Sequence, residues 1–449
     1  MAVDSTLLLE EVQQVVNSGE GLSHYRLECR LRAGGEWFSP VRLDLYSLER
    51  DYENSFGDVV VLRVIVGLGE YSYKLLPNRD DLWVDVTSTP LYENSGTERD
   101  NTTIRVRRYR AILMDQENPG LTGSGPQASS SDDMDLSAPK TVELQLIDDG
   151  LYQTRMVSVG KLYRNAVPMD VLRSLFTETT RLLDTNGEQQ IFGVTVTPDY
   201  ATTPRENLVI PHGTPLTAVP SYLQEQEGGI YGAGLSCYLQ RGQWYVFPPY
   251  DTQRVSKSRH TLTILNIPAN RYLGAERTYR IRGKEVVIIS AGGKQSNDPG
   301  LYSQLNEGNA TRFTDARRLM TFGDTNNNQT QIKRQDNVFE AQGTGLKSGL
   351  THARWADERA SGNPLHHYSR MAQRQGRYMS IRWDHGDGSL LVPGMPVKYM
   401  TTADEKLVVV HGVLLGLHEQ RQPNEGGVGQ QQYPAKIILK VFLSRQEAV

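Results

Sequence analysis

Apolar residues recur at two different spacings along this chain, and the spacing switches several times from one end to the other. Tyr25, Leu27, Cys29 and Leu31 alternate with polar residues, Trp37-Phe38 follow a Gly-Gly turn, and Val41, Leu43 and Leu45 alternate again. A period of two puts successive side chains on opposite faces of an extended chain, so this stretch predicts strands with one buried face. Residues 59–62 are continuously apolar and are expected to face apolar surroundings on both sides. Further strands are expected at 72–76, 82–87, 104–114 and 141–147, with 152–162 returning to the same sheet.

Helical spacing takes over in three places. Leu8, Val12, Val15 and Val16 mark one face of a helix with Asp4 or Ser5 near its start and Gly19 at its end, an N-terminal arm expected to pack on a partner or on a barrel. Residues 165–184 carry the strongest helical pattern: Pro168 falls in the first turn, and Val171, Leu172, Leu175, Phe176, Thr179, Leu182 and Leu183 form a broad stripe. In the third, Thr214 is placed to cap a helix beginning at Pro215, with Leu216, Val219 and Leu223 on one face and Gly228-Gly229 at its end. Pro220 removes a backbone bond there, which predicts a kink or an early irregularity.

A hairpin follows that third helix. Leu235, Cys237 and Leu239 alternate with Ser236, Tyr238 and Gln240, Arg241-Gly242 supply the turn, and Trp244, Tyr245, Val246 and Phe247 form the return strand before Pro248-Pro249. Residues 261–267 and 279–290 read as another strand pair. Near the C-terminus, 378–383, LLVPGMPVKYM, KLVVVHGVLLGLHEQ and YPAKIILKVFL are four strands joined by polar turns, one of them DHGDG. Residues 118–140, rich in Gly, Ser, Pro and Asp, form an excursion from the sheet, with an interdomain linker as the alternative. The polar span 291–345 is an insertion or a set of surface loops with one short helical candidate at 314–320.

Bulk composition narrows the class. The chain has 449 residues and a mass of 50.4 kDa, enough for two to four domains. Mean hydropathy is −0.49, and 41 Gly with 21 Pro fit many turns between short strands, so the fold class is expected to be mainly β. The formal charge of −4 does not favour a nucleic-acid binder, and any DNA contact is expected to be local or non-adhesive. Cys29 and Cys237 alone build neither a disulfide framework nor a cysteine zinc site, and they suit a reducing compartment. The N-terminal run carries Asp4, Glu10 and Glu11 and no basic segment, which is unlike a signal peptide, and no apolar run reaches the ~18–20 residues of a membrane span.

Candidate chemistry is sparse. Gly292-Gly293-Lys294-Gln295 lacks the first glycine and the final Ser/Thr of a phosphate-binding loop, and the glycines from Gly343 to Gly349 have the wrong spacing for a dinucleotide site. Gly-x-Ser-x-Gly is absent. The carboxylate pairs Asp80-Asp81, Asp132-Asp133 and Asp148-Asp149 lie in turn-like contexts and read as solvated loops. His366-His367 with Asp384, His385 and Asp387 form the best enzyme-like cluster, but adjacent histidines point apart, and DHGDG is ordinary turn chemistry. Arg354, Arg359, Arg370, Arg374, Arg377 and Arg382, interleaved with Trp355, His366-His367 and Tyr368, lack a stacking-platform pattern and fit carboxylate pairing at a subunit interface better than nucleic acid.

The order Ile-Pro-His and Thr-Pro-Leu opening a helix, then Gly-Ile-Tyr, then the Gly-x-Trp-Tyr-Val-Phe-Pro strand, resembles the middle of baseplate hub proteins of contractile bacteriophage tails. RLDLYSLERDYENSFGDVVVLRVIVG resembles the opening barrel of the same family, and the Pro-Gly-Met-Pro-Val and Gly-Val-Leu-Leu-Gly strands resemble its second tube-like barrel. The hub family is shared with the N-terminal part of type VI secretion spike proteins. The resemblance implies an N-terminal helical arm at 1–20, a first tube-like β-barrel at 21–165 with the loop 118–140, a small α/β module at 166–252, a second barrel from 253–290 and 375–449, and a polar insertion at 291–374. It implies a homotrimeric ring that adapts a sixfold tail tube to a threefold central spike, contacts neighbouring baseplate or wedge proteins, and lets phage DNA pass without specific binding. Such a protein belongs to the virion and is assembled in the bacterial host cytoplasm.

No catalytic residue, metal or cofactor is assigned. The residues expected to matter pack cores and interfaces: Leu216, Leu223, Trp244 and Val246 in the module, and Val397, Val413, Leu415 and Ile438 in the last barrel. The competing expectations are a tail-associated cell-wall or glycan hydrolase using His385 and Asp387, and the hub part of a bacterial contractile injection system.

Overall fold

The computed structural model describes residues 6–92, 105–114, 138–181, 183, 191–225, 229–258, 260–267, 274–295, 311–315, 320–324, 372–373, 376–403, 406–423, 432–434 and 436–444. The fold is mainly β. In chain order, helix α1 (Thr6–Ser18) leads into β1 (Leu22–Ala33), β2 (Glu36–Phe38), β3 (Arg42–Asp51), β4 (Val59–Gly67), the single turn α2 (Leu68–Glu70), β5 (Leu82–Tyr92), β6 (Arg105–Met114) and β7 (Pro139–Asp148). β3, β4, β7, β6, β5 and β1 pair in that order, each antiparallel to the next. Their alternate residues, among them Leu27, Leu48, Val60, Leu62, Val84 and Leu144, face one apolar interior.

Two expectations in this region are corrected. Residues 59–62 are not buried on both faces: Val60 and Leu62 point inward, whereas Val59 and Val61 are half-buried on the face where Arg63 reaches Glu143 at 3.0 Å. Residues 72–76 are not a strand but a helical turn over Tyr71–Leu75. Tyr71 and Leu75, four apart, both pack on the first interior, and that i,i+4 contact prevails over the alternation of the intervening residues.

A smaller unit follows, built from α3 (Asp149–Met156), β8 (Ser158–Ala166), α4 (Pro168–Arg181), β9 (Gly193–Val196), β10 (Arg205–Pro215), a 3-10 turn at Leu216–Ala218, α5 (Val219–Glu225), β11 (Ser236–Gln240) and β12 (Gln243–Phe247). Residues 152–162 therefore do not return to the main sheet. Asp148 accepts hydrogen bonds from the Gly150 and Leu151 amides and starts α3, after which β8 pairs with β10. Pro168 is the first residue of α4, where a missing N–H costs nothing. Thr214 does not cap a helix: its hydroxyl donates to the Pro211 carbonyl and Pro215 ends β10. The irregularity expected from Pro220 is the 3-10 opening, which leaves Pro220 in the first turn of α5. Arg241 and Gly242, at φ 52° and 72°, turn β11 into β12, and β9 lies parallel beside β12.

The last part contains β13 (Thr261–Ile267), β14 (Tyr279–Arg282), β15 (Glu285–Ala291), β16 (Gly293–Gln295), β17 (Thr311–Asp315), β18 (Met320–Asp324), β19 (Gly376–Asp384), β20 (Pro396–Ala403), β21 (Lys406–Arg421), β22 (Tyr433–Pro434) and β23 (Lys436–Ser444). Residues 279–290 divide into two strands because Gly283, at φ 63°, turns the chain back. The helix expected at 314–320 is corrected: β17 pairs antiparallel with β18, so Thr314 and Asp315 are in a strand. A helix so short has little to stabilise it, whereas threonine and phenylalanine favour extended backbone.

Strands β14, β15, β13, β20, β21, β23, β19 and β16 pair in that order around a second apolar interior containing Ile264, Trp383, Val397, Tyr399, Leu414 and Leu439. Helix α1 packs outside it, seating Leu8 and Val15 on Leu265, Ile267, Val287, Ile289 and Met400. Val16, placed on that face by the sequence, is exposed.

Strand β21 joins the two parts into one 16-stranded sheet. Its first residues pair with β20 and its middle with β23, while its residues 416–421 lie opposite 46–51 of β3. Backbones approach closely here: a Cβ on Gly412 would stand 2.1 Å from the Phe442 carbonyl oxygen, and one on Gly416 would stand 2.3 Å from that of Arg50. Tyr433 of β22 lies opposite Tyr25 of β1 and donates its hydroxyl to the Leu43 carbonyl, so the far end of the chain also edges the first interior.

Candidate functional site

The end of β3 and its short connection to β4, residues 50–58, are where all three units meet. Tyr52 N–H donates to the Leu415 carbonyl of β21, the Leu239 N–H of β11 donates to the Phe56 carbonyl, and Tyr52 Oη donates to Gln240 Oε1 at 3.2 Å. Glu53 carries a second tie. Its Oε1 accepts from the hydroxyls of Tyr250 and Tyr378, each at 2.6 Å, and its Oε2 lies 2.8 Å from Lys440 Nζ of β23. One carboxylate thus holds the end of the hairpin and two strands around the second interior. Burial and the Glu53 charge both push the Tyr250 phenol above its ordinary range.

Arg50 follows Tyr46 and Leu48 at intervals of two, so the strand period turns a guanidinium inward. It is 3% exposed and grips Asp58 through Nε and Nη2 at 3.0 and 3.1 Å, while Nη1 donates to the Gly388 carbonyl at 3.3 Å. Tyr238 Oη donates to the same carboxylate at 2.9 Å, and Arg107 stands 3.5 Å from it. Burial works against the Asp58 charge, and the Arg50 and Arg107 guanidiniums outweigh it, holding the carboxyl below its usual range. A second buried pair lies beside it: Arg421 contacts Glu419 at 2.7 Å and lies over the ring of Tyr25.

The packing residues named from the sequence fall into three places. Leu216, Leu223, Trp244 and Val246 share the interior of the smaller unit, where Trp244 stacks on Phe176 at 4.3 Å. Val397 lies in the second interior. Val413 and Leu415 pack on the opposite face of that sheet with Phe442 under Tyr250 and Tyr378. Ile438 is 47% exposed on this chain, and its neighbours Ile437 and Leu439 point inward. The sequence reading missed Arg50, Asp58, Glu419 and Arg421. The available signal was a charged residue at the buried phase of a strand, as in Leu48-x-Arg50 and Leu417-x-Glu419-x-Arg421.

Asp384, His385 and Asp387 each have partners of their own. Asp384 accepts from Arg382 at 2.9 Å, and the His385 Nδ1 atom is 3.2 Å from the Leu22 carbonyl oxygen. Asp387 caps the Gly388–Leu390 turn through the Ser389 N–H at 2.9 Å and accepts from the Tyr92 hydroxyl at 3.0 Å. Burial opposes its charge, but Ser389, Arg105 and Tyr92 together hold its carboxyl below the ordinary range. Among the described residues no group of three or more His, Cys, Asp or Glu is placed to hold a metal ion, and no helix is long and apolar enough to cross a membrane. His366-His367, Asp132-Asp133, the glycines at 343–349, Arg354, Trp355, Arg359, Tyr368, Arg370 and Arg374 lie outside the described residues, as do most of 118–140 and 296–371.

No protein-family model matches the chain, and no curated protein matches it. Among solved structures the chain is similar to the 43 kDa tail protein of prophage MuSo2 from Shewanella oneidensis, at 10% identity over 92% of this chain and 96% of that one, with a TM-score of 0.42. It is also similar to the E. coli c3393 protein, a type VI secretion component described as structurally similar to the T4 bacteriophage tail proteins gp27 and gp5, at 10% identity over 92% of this chain and 76% of that one, with a TM-score of 0.37. A half-lidded Francisella PdpA–VgrG complex matches at 10% identity over 98% of this chain and 62% of that chain, with a TM-score of 0.39.

Proposed function

We propose that the chain is a structural baseplate hub of a contractile phage tail, a homotrimer that joins a sixfold tail tube to a threefold central spike. One observation carries this reading: a single chain builds two separate strand-lined interiors and locks them together through β21 and the 50–58 connection. Each strand-lined unit, 21–148 and 253–290 with 375–449, is taken as one tube-like barrel. Three chains then present six similar units around an axis while the assembly keeps threefold symmetry. The smaller unit, 149–252, braces the pair, and DNA passes through the lumen without specific binding. In this reading the protein is a virion component without enzymatic activity, and its partners are the tube, the spike and neighbouring baseplate proteins.

The native mass in solution, by light scattering behind size exclusion over a wide concentration range, tests the proposal. A mass of three times 50.4 kDa is expected, with threefold symmetry in particle images. A dimer at every concentration overturns the ring, as does a monomer that stays monomeric with spike protein added.

A further inference from the structure

A cavity of about 860 Å³ opens between β6 and the β11–β12 turn, where Tyr109 of the first interior and Leu151 and Leu239 of the smaller unit's interior share its walls with charged residues. Its size falls in the range of about 300–1,000 Å³ typical of small-ligand sites. Arg105, Arg107, Arg108 and Arg241 line it, with Asp58, Asp85 and Asp148.

The ion pairs within this lining are unequal. Arg108 is fully engaged, bidentate on Asp85 at 2.8 and 3.0 Å. Arg107 shares Asp58 with Arg50 and reaches it only at 3.5 Å. Arg105 stands 3.6 Å from Asp387, whose oxygens already accept from Tyr92 and Ser389. Asp148 is committed to the Gly150 and Leu151 amides. Arg241 makes no hydrogen bond or ion pair among the described residues, and the turn holds it at φ 52°, in the left-handed region. A fourth polar group is left over as well: the Tyr109 hydroxyl is buried on the lining with no hydrogen-bond partner among the described residues.

Three under-engaged guanidiniums and an unsatisfied phenol around one cavity are a donor set without its acceptor. Guanidinium forks match planar oxyanions in charge and geometry, and an unpaired buried donor costs free energy until one arrives. We propose that this cavity binds an oxyanion, a phosphate or clustered carboxylates, held by Arg105, Arg107, Arg241 and the Tyr109 hydroxyl. Although Arg241 is exposed at the turn, desolvation and the neighbouring Arg107, Arg50 and Arg105 lower its pKa to about 10 against the opposing pull of Asp387, the direction expected where like charges crowd.

Titration calorimetry on the full chain at low ionic strength tests this, with inorganic phosphate and citrate as free anions and tetraglutamate as an acidic peptide. Saturable binding of at least one probe is expected. Arg241→Asn keeps a residue that tolerates the left-handed turn and is expected to weaken that binding at least tenfold. Tyr109→Phe is expected to weaken it about threefold, and Lys257→Gln, exposed and outside the lining, to leave it unchanged. Tighter binding of tetraglutamate than of both free anions assigns the site to an acidic segment of a protein partner; the reverse assigns it to a small oxyanion. Absence of saturable binding by all three probes overturns the proposal, as does equal affinity in the wild type, Arg241→Asn and Tyr109→Phe.

Discussion

Trp244 stacks on Phe176 at 4.3 Å, yet its indole N–H finds no hydrogen-bond partner among the described residues. Its aromatic packing and its polar atom therefore pull in opposite directions. Trp244→Ala is expected to cost roughly 3–5 kcal/mol through the cavity it leaves. Trp244→Phe is expected to cost less than about 2 kcal/mol, because it removes the unsatisfied donor along with part of the ring, and urea denaturation of both variants separates the two effects. Asp148 gives a pH-dependent counterpart. Burial raises its carboxyl to about 6, against the Leu151 and Gly150 amides that favour the charge. A carboxyl that holds its proton more tightly when folded adds most to stability below its unfolded pKa, and the contribution falls as pH rises from about 4 to about 6. Asp148→Asn is expected to be more stable than the wild type at pH 7.5 by about 1–2 kcal/mol, a figure reduced for the partial openness of the site, and no more stable at pH 4. Trp244 was legible in the sequence because an aromatic return strand must be buried somewhere. The phase of Ile438 was not: two adjacent isoleucines leave the strand period undetermined, and register with β21 decides it.

At the scale of elements, periodicity identified what local forces build. α1 and α4 were legible from their apolar faces, and most strands from alternation. The failures occur where one hydrogen bond or one contact decides between two local options. Asp148 starts a helix where the sequence reads as strand, and Tyr71 with Leu75 closes a helical turn over the first interior. The docking surface of α1 was not legible, because the outer residues of β13, β15 and β20 that receive it are distant in sequence. Leu8 is 3% exposed on that surface, so Leu8→Ala is expected to cost roughly 2–3 kcal/mol. It should also loosen α1 ahead of the sheet, read as faster amide exchange confined to residues 6–18.

For the whole molecule, β21 and the 50–58 connection make the two strand-lined parts interdependent. Removing the Asp58 carboxylate leaves the Arg50 guanidinium buried without its counter-charge, and Asp58→Ala is expected to cost roughly 3–5 kcal/mol. Calorimetry should show one shared transition in the wild type. In the variant the transition should move to lower temperature as a unit, whereas separate melting of the two parts would contradict the shared-strand description. None of this was readable in advance, since sequence periodicity reports which face of a strand is buried and carries no information on which distant strand covers it. The same long-range pairing sets a schedule for biosynthesis. Tyr25 and β3 leave the ribosome early, but their partners Tyr433 and β21 come near the end of the chain. At about 5–20 residues per second the gap is roughly 20–80 s, during which β1 and β3 offer unpaired edges to any neighbouring nascent chain. Folding of the first strand-lined part must therefore finish after translation, and its yield should depend on holdase chaperones and on keeping expression slow and cold.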